Sequence, residues 1–64
     1  NILAPVLVRL FDEGLARLVA PGGKLVLAGI LENQAEDVLS AARAQGMDLI
    51  ARYQQEDWVA LVVA

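Results

Sequence analysis

The sequence predicts an α/β fold in the order helix, strand, helix, strand, strand, closed by a terminal antiparallel hairpin. Three observations carry that expectation. An apolar stripe at three-and-four spacing runs up to a Pro-Gly-Gly break, "KLVLAGIL" follows as a continuous apolar run, and "MDLIARYQQ" and "WVALVVA" form two short runs joined by a polar turn.

The first helix is expected to start near Ala4, because Pro5 suits a first helical turn, where its missing N–H costs nothing. Val6, Leu7, Leu10, Phe11, Gly14, Leu15, Leu18 and Val19 then mark one face, while Arg9, Glu13 and Arg17 fall four apart on another. Pro21, Gly22 and Gly23 stop it, since Pro cannot continue a helix and Gly accepts a positive φ. Leu25–Leu31 is apolar without alternation, the pattern of a central strand buried on both faces of a parallel sheet. Asn33 and Glu36 have capping-box spacing, and Ala35, Val38, Leu39 and Ala42 make the stripe of a second helix ending at Gly46. The last two runs read as a β-hairpin turning through Gln55, Glu56 and Asp57. The first two strands are expected to run parallel through a right-handed crossover.

Sixty-four residues make at most one domain, and a chain of this size buries only about 60% of the surface its unfolded form exposes. Disulfides or a metal would compensate, but the sequence has no Cys and no His, and its acids lack the spacing of a calcium loop. Apolar residues reach 58%, high for a free-standing domain and normal for the core of a parallel α/β sheet. Together with a start at "NILAPV" without an initiator Met, this reads as a single partial domain, 1–64, from the tail of a larger enzyme. No uncharged run approaches the roughly 18 residues of a membrane span. No secretory signal is visible. The net charge of −3 with scattered basic residues argues against direct nucleic-acid binding.

The catalytic inventory is empty. Covalent catalysis needs a nucleophile beside a base, yet Ser40 falls mid-helix, Lys24 lies at a turn and no His exists. Glu32, Glu36 and Asp37 read as a helix start favoured by the macrodipole, and Glu56 with Asp57 as a polar turn. "GGK" is not a phosphate loop: it lacks the leading Gly and the following Ser or Thr, and it precedes a strand. Trp58 and Tyr53 read as packing residues.

A "PGG" turn between an amphipathic helix and a buried strand resembles the segment before the fifth strand of class I S-adenosylmethionine-dependent methyltransferases. "NILAPV" opening the helix, "GIL" closing the strand, Gln34 with Glu36 and Val38, and "DWVAL" on the last strand sharpen it. Over its whole length the chain resembles the C-terminal part of the bacterial methyltransferases that modify the eleventh protein of the large ribosomal subunit. The resemblance implies the C-terminal half of a Rossmann-like sheet, with Leu25–Leu31 as fifth strand, the Leu49 region as sixth, and Trp58–Val63 inserted antiparallel between them. It implies a cytoplasmic, S-adenosylmethionine-dependent enzyme that methylates amino groups of a ribosomal protein. Asn1 would bind the cofactor and orient the amine, Ile2 and Leu3 would line the substrate pocket, and no residue would act covalently.

The glycine-rich cofactor loop, the ribose-binding acid and the family's substrate-recognition domain have no counterpart here, so the isolated chain is expected to be inactive. It is also expected to self-associate, having lost the remaining part of the enzyme as a partner. Two alternatives stay open: a class I methyltransferase with another protein or a small molecule as substrate, and a non-catalytic α/β dimerisation module.

Overall fold

A computed structural model describes residues 3–64, with side chains from Ala4 onward. Helix α1 spans Leu3–Asp12, and its Ala4, Leu7 and Phe11 are buried, one side chain per turn along a single stripe. Val6 and Leu10, assigned to the same stripe from the sequence, are exposed instead. The expected continuation to Val19 does not occur. Gly14 takes φ 104°, its N–H donates to the Phe11 carbonyl at 3.1 Å, and a separate 3-10 turn, Leu15–Leu18, follows. A left-handed glycine ends the ladder by the same freedom that makes it a common C-terminal stop, so Leu18 lands in solvent at 82% exposure.

The Pro-Gly-Gly turn then reverses the chain. Gly23 donates to the Ala20 carbonyl at 2.7 Å, and a Cβ at Gly23 would sit 2.9 Å from that oxygen. Only glycine permits so close an approach without a shift of backbone.

Strand β1 (Leu25–Leu31) leads into a 3-10 turn (Glu32–Gln34) and helix α2 (Ala35–Ala44); β2 (Leu49–Gln55) and β3 (Trp58–Val63) complete the chain. The sheet order is β1-β3-β2, with β3 antiparallel to both neighbours. The terminal hairpin is therefore present, turning through Glu56 and Asp57 with Gln55 opposite Trp58. β1 and β2 share a direction but do not pair, because β3 lies between them. The central strand among the described residues is thus β3, inserted antiparallel between β1 and β2 as the resemblance implies, and β1 has a neighbour on one side only.

Nor is β1 buried on both faces: Leu27 and Ile30 are covered, whereas Val26 is 66% exposed. Gly29, at φ 75°, sits in the register shift between Leu27 and Ile30, where a bulge resets which residues face the helices.

Helix α2 buries Ala35, Val38, Leu39 and Ala42, the four residues its periodicity names. The expected Asn33/Glu36 capping box is not formed. The helix enters from the 3-10 turn, with Gln34 at its N-cap and no side-chain cap. Its other end closes as a Schellman motif: Gly46 N–H donates to Arg43 and Met47 N–H to Ala42, both at 3.0 Å, with Gly46 at φ 85°. Met47 is buried, which supplies the apolar contact that accompanies this motif.

Both helices cover one face of the sheet. Phe11, Val38, Ile30, Val59, Leu61 and Val63 are the largest fully buried side chains, and every buried residue described is apolar. Along β3, Val59, Leu61 and Val63 point into this core, and Trp58, Ala60 and Val62 point to the uncovered face. No helix among the described residues is long and apolar enough to cross a membrane.

Candidate functional site

The two ends of the sheet differ in chemistry. At the amino end of β1 the Pro-Gly-Gly turn and Lys24 meet Gly46, Met47 and Ala64. Asp48 lies beside them. Its carboxylate accepts from the Leu49 N–H at 2.8 Å and from Arg43 Nε at 3.3 Å, and these bonds, the backbone one foremost, hold its pKa below the ordinary Asp value. Asp48 and Ala64 also exchange backbone hydrogen bonds, at 2.9 and 3.0 Å, tying the chain's last residue to the start of β2.

The carboxyl end of β1 is where open α/β sheets place ligands, and three segments converge there. The Glu32 N–H donates to the Asp57 carbonyl at 2.8 Å, joining the strand-to-helix turn to the hairpin tip. Leu31, Glu32, Asn33 and Asp57 surround a depression of about 400 Å³. Beside it a cleft of about 560 Å³ runs between the helices, bounded by Ala4, Pro5 and Val8 of α1 and by Gln34, Asp37 and Ala41. The first turn of α1 and the start of α2 therefore share a wall at this end.

Gln34 lines that cleft, and its Oε1 is buried without a hydrogen-bond partner. A buried amide oxygen left unpaired costs free energy, so this atom is a ready acceptor for an N–H brought to the cleft. Sequence reasoning placed Gln34 in the family resemblance but not in the site. The available signal was its position, a polar residue between a buried strand and a helix.

The expected site residues Asn1 and Ile2, and the side chain of Leu3, lie outside the described residues. Helix α1 begins at Leu3, and Ala4 and Pro5 face Gln34 across the cleft. Lys24 is at the opposite end and Ser40 is exposed on α2, so neither is paired with a base among the described residues. Among the described residues no three or more acidic side chains cluster in a way that could hold a metal ion. Trp58 and Tyr53, expected to pack, stand 48% and 64% exposed on the uncovered sheet face, because no element among the described residues reaches across it.

Across residues 1–64 the chain matches the family described as Ribosomal protein L11 methyltransferase (PrmA). It belongs to that family. A ribosomal protein L11 methyltransferase from Chromohalobacter salexigens is 54% identical over 92% of the chain and 19% of its own length. Proteins of the same name from Desulfosudis oleivorans and Oceanobacillus iheyensis are 44% and 37% identical over 97% of the chain, covering 20% and 19% of their own lengths. The chain thus spans about one fifth of these relatives, and the matched span is their C-terminal part. No solved structure matches it.

Proposed function

We propose that the chain forms the C-terminal wall of the catalytic domain of a cytoplasmic, S-adenosylmethionine-dependent methyltransferase acting on lysine amino groups of ribosomal protein L11. The observation that supports it is the family match along the full chain, combined with convergence of α1, the β1–α2 turn and the hairpin tip at one end of the sheet. In this reading the three strands are the last three of a Rossmann-like sheet.

S-adenosylmethionine, when bound, supplies an electrophilic methyl on sulfur. The groups at this end suit one wall of such a site: apolar surface from Ala4, Pro5 and Val8, and the unpartnered Gln34 amide oxygen as an acceptor. Asn1 binds the cofactor and orients the substrate amine through an amide that both donates and accepts, and Ile2 and Leu3 line the pocket and exclude water. The glycine-rich loop and the ribose-binding carboxylate belong to the remaining part of the enzyme.

The test is methyl transfer to ribosomal protein L11 by the full-length protein that carries this segment. Asn1→Ala is expected to lower kcat/KM on the order of a hundredfold through lost alignment, with the melting temperature unchanged. Full activity of that variant removes Asn1 from the site, and an unsubstituted enzyme that methylates some other substrate and not L11 overturns the reading. The isolated 64-residue chain is expected to show no saturable binding of S-adenosylmethionine by calorimetry and to self-associate in sedimentation through the unpaired edge of β1 and the exposed side of α1. A stable monomer at high concentration refutes the latter.

A further inference from the structure

We propose that Gln34 is a positioning residue: its side-chain amide oxygen accepts a hydrogen bond from the Ala4 N–H at the head of α1, and so holds the segment that carries Asn1 against the start of α2. The proposal rests on the reading of Asn1 as the residue that orients the amine.

Among the described residues, Gln34 Oε1 is the buried side-chain polar atom without a hydrogen-bond partner. Every buried residue described is apolar, so no polar neighbour in the core offsets the loss of water at that oxygen. Gln34 stands at the N-cap of α2 but does not cap it, for no side-chain bond reaches the helix's own first turn. The oxygen is therefore spare, and its residue lines the cleft between the two helices.

The other side chains along that cleft supply no donor. Asp12 and Asp37 carry carboxylates, which accept. Ser40 lies more than a helical turn further along α2, and the remaining walls are apolar. The donor that fits is a backbone N–H.

The head of α1 provides one. N–H groups in the first turn of a helix have no intrahelical acceptor. Pro5 has no N–H, and Ala4, just before it, is 2% exposed, so its N–H is shut off from water. A helix start is ordinarily met by the side chain of the preceding residue, yet Ile2 has no oxygen to offer. The Asn1 amide, committed to cofactor and amine, is not free for that task. An N–H without an intrahelical acceptor thus faces, across one cleft, an oxygen without a donor.

Gln34 is firmly mounted for this role. It ends the 3-10 turn whose Glu32 N–H is bonded to the Asp57 carbonyl at 2.8 Å, and the next residue, Ala35, is buried. Tying α1 to this turn sets the angle at which the residues before the helix enter the site, where a misplacement of about 1 Å can cost roughly a hundredfold in rate.

The experiment uses the full-length protein that carries this segment. Gln34→Met keeps the length of the side chain and removes the acceptor, whereas Gln34→Glu keeps an acceptor. Amide proton exchange at Ala4, read by NMR, is expected to be slow in the unsubstituted enzyme, about tenfold or more faster in Gln34→Met, and slow again in Gln34→Glu. Exchange at Ala4 in the unsubstituted enzyme at the rate of an unfolded peptide overturns the proposal without any variant. In methyl transfer to L11, Gln34→Met is expected to lower kcat about tenfold, with activity recovered in Gln34→Glu. Added to Asn1→Ala, it is expected to cause no further loss, because both act through one group. A multiplicative loss in the double variant overturns the positioning role. Full activity of Asn1→Ala overturns that role together with the functional reading, whereas the expected loss in Asn1→Ala with an unprotected Ala4 amide overturns the present proposal alone.

Discussion

One strand serves two environments. On β3, Leu61 is 1% exposed against the helices, whereas its neighbours Ala60 and Val62 face the side no helix covers. The residues are chemically alike, and what differs is the layer laid over them. The contrast teaches that apolar character in β3 predicts burial in some assembly, and that the chain's own helices satisfy only half of it.

The largest expected effect breaks the covered side. Leu61→Ala removes a fully buried side chain and is expected to cost roughly 2–5 kcal/mol, enough to abolish cooperative unfolding in a unit this small. Val26→Ala on the open face is expected to stay within about 0.5 kcal/mol in the isolated chain. Urea denaturation of both variants measures the difference, and equal losses would mean that the two faces are equally covered.

A middle-sized effect tests how the covered layer is closed. Gly23→Ala places a Cβ 2.9 Å from the Ala20 carbonyl oxygen, so the turn that brings the chain from the helical layer into β1 must shift, at about 1–3 kcal/mol. Gly22→Ala meets no atom but keeps φ 79°, and is expected to cost about 1 kcal/mol through left-handed strain alone. Thermal melts of the pair separate contact from conformation.

The smallest effect concerns pH at the amino end of β1. The folded-state pKa of Asp48 is depressed, so its contribution is present above the unfolded value of about 4 and is lost as pH falls through the folded value. Asp48→Asn is expected to flatten the acid limb of a stability–pH profile below pH ~4 and to leave the covered and open faces otherwise alike. An unchanged acid limb would show that the exposed pair with Arg43 is screened by solvent.

Much of the fold was legible. The four buried positions of α2, the stop at Gly46, the Pro-Gly-Gly reversal and the hairpin all follow from period, glycine placement and turn polarity, which act within a few residues. The break at Gly14 was missed because an apolar stripe passes through it, and stripe periodicity does not register a single positive φ. The capping box failed because the chain leaves β1 through a 3-10 turn, a geometry set by the Glu32–Asp57 bond to a residue far along the sequence. The proposed site rests on resemblance alone, since Asn1, Ile2 and Leu3 form no pattern of their own and their side chains lie outside the described residues, and Gln34 becomes notable only when its oxygen is seen buried and unpaired.

By itself the sequence determined element type and order, because helix and strand periods, turn glycines and the absence of His and Cys are local properties of the chain. The resemblance already placed Trp58–Val63 between the other two strands, which is the order observed. Tertiary structure alone decided that β1 bulges at Gly29, that the Glu32–Asp57 bond ties the strand-to-helix turn to the hairpin tip, and that one face of the sheet stands open among the described residues, because these are outcomes of pairing and layering between distant segments.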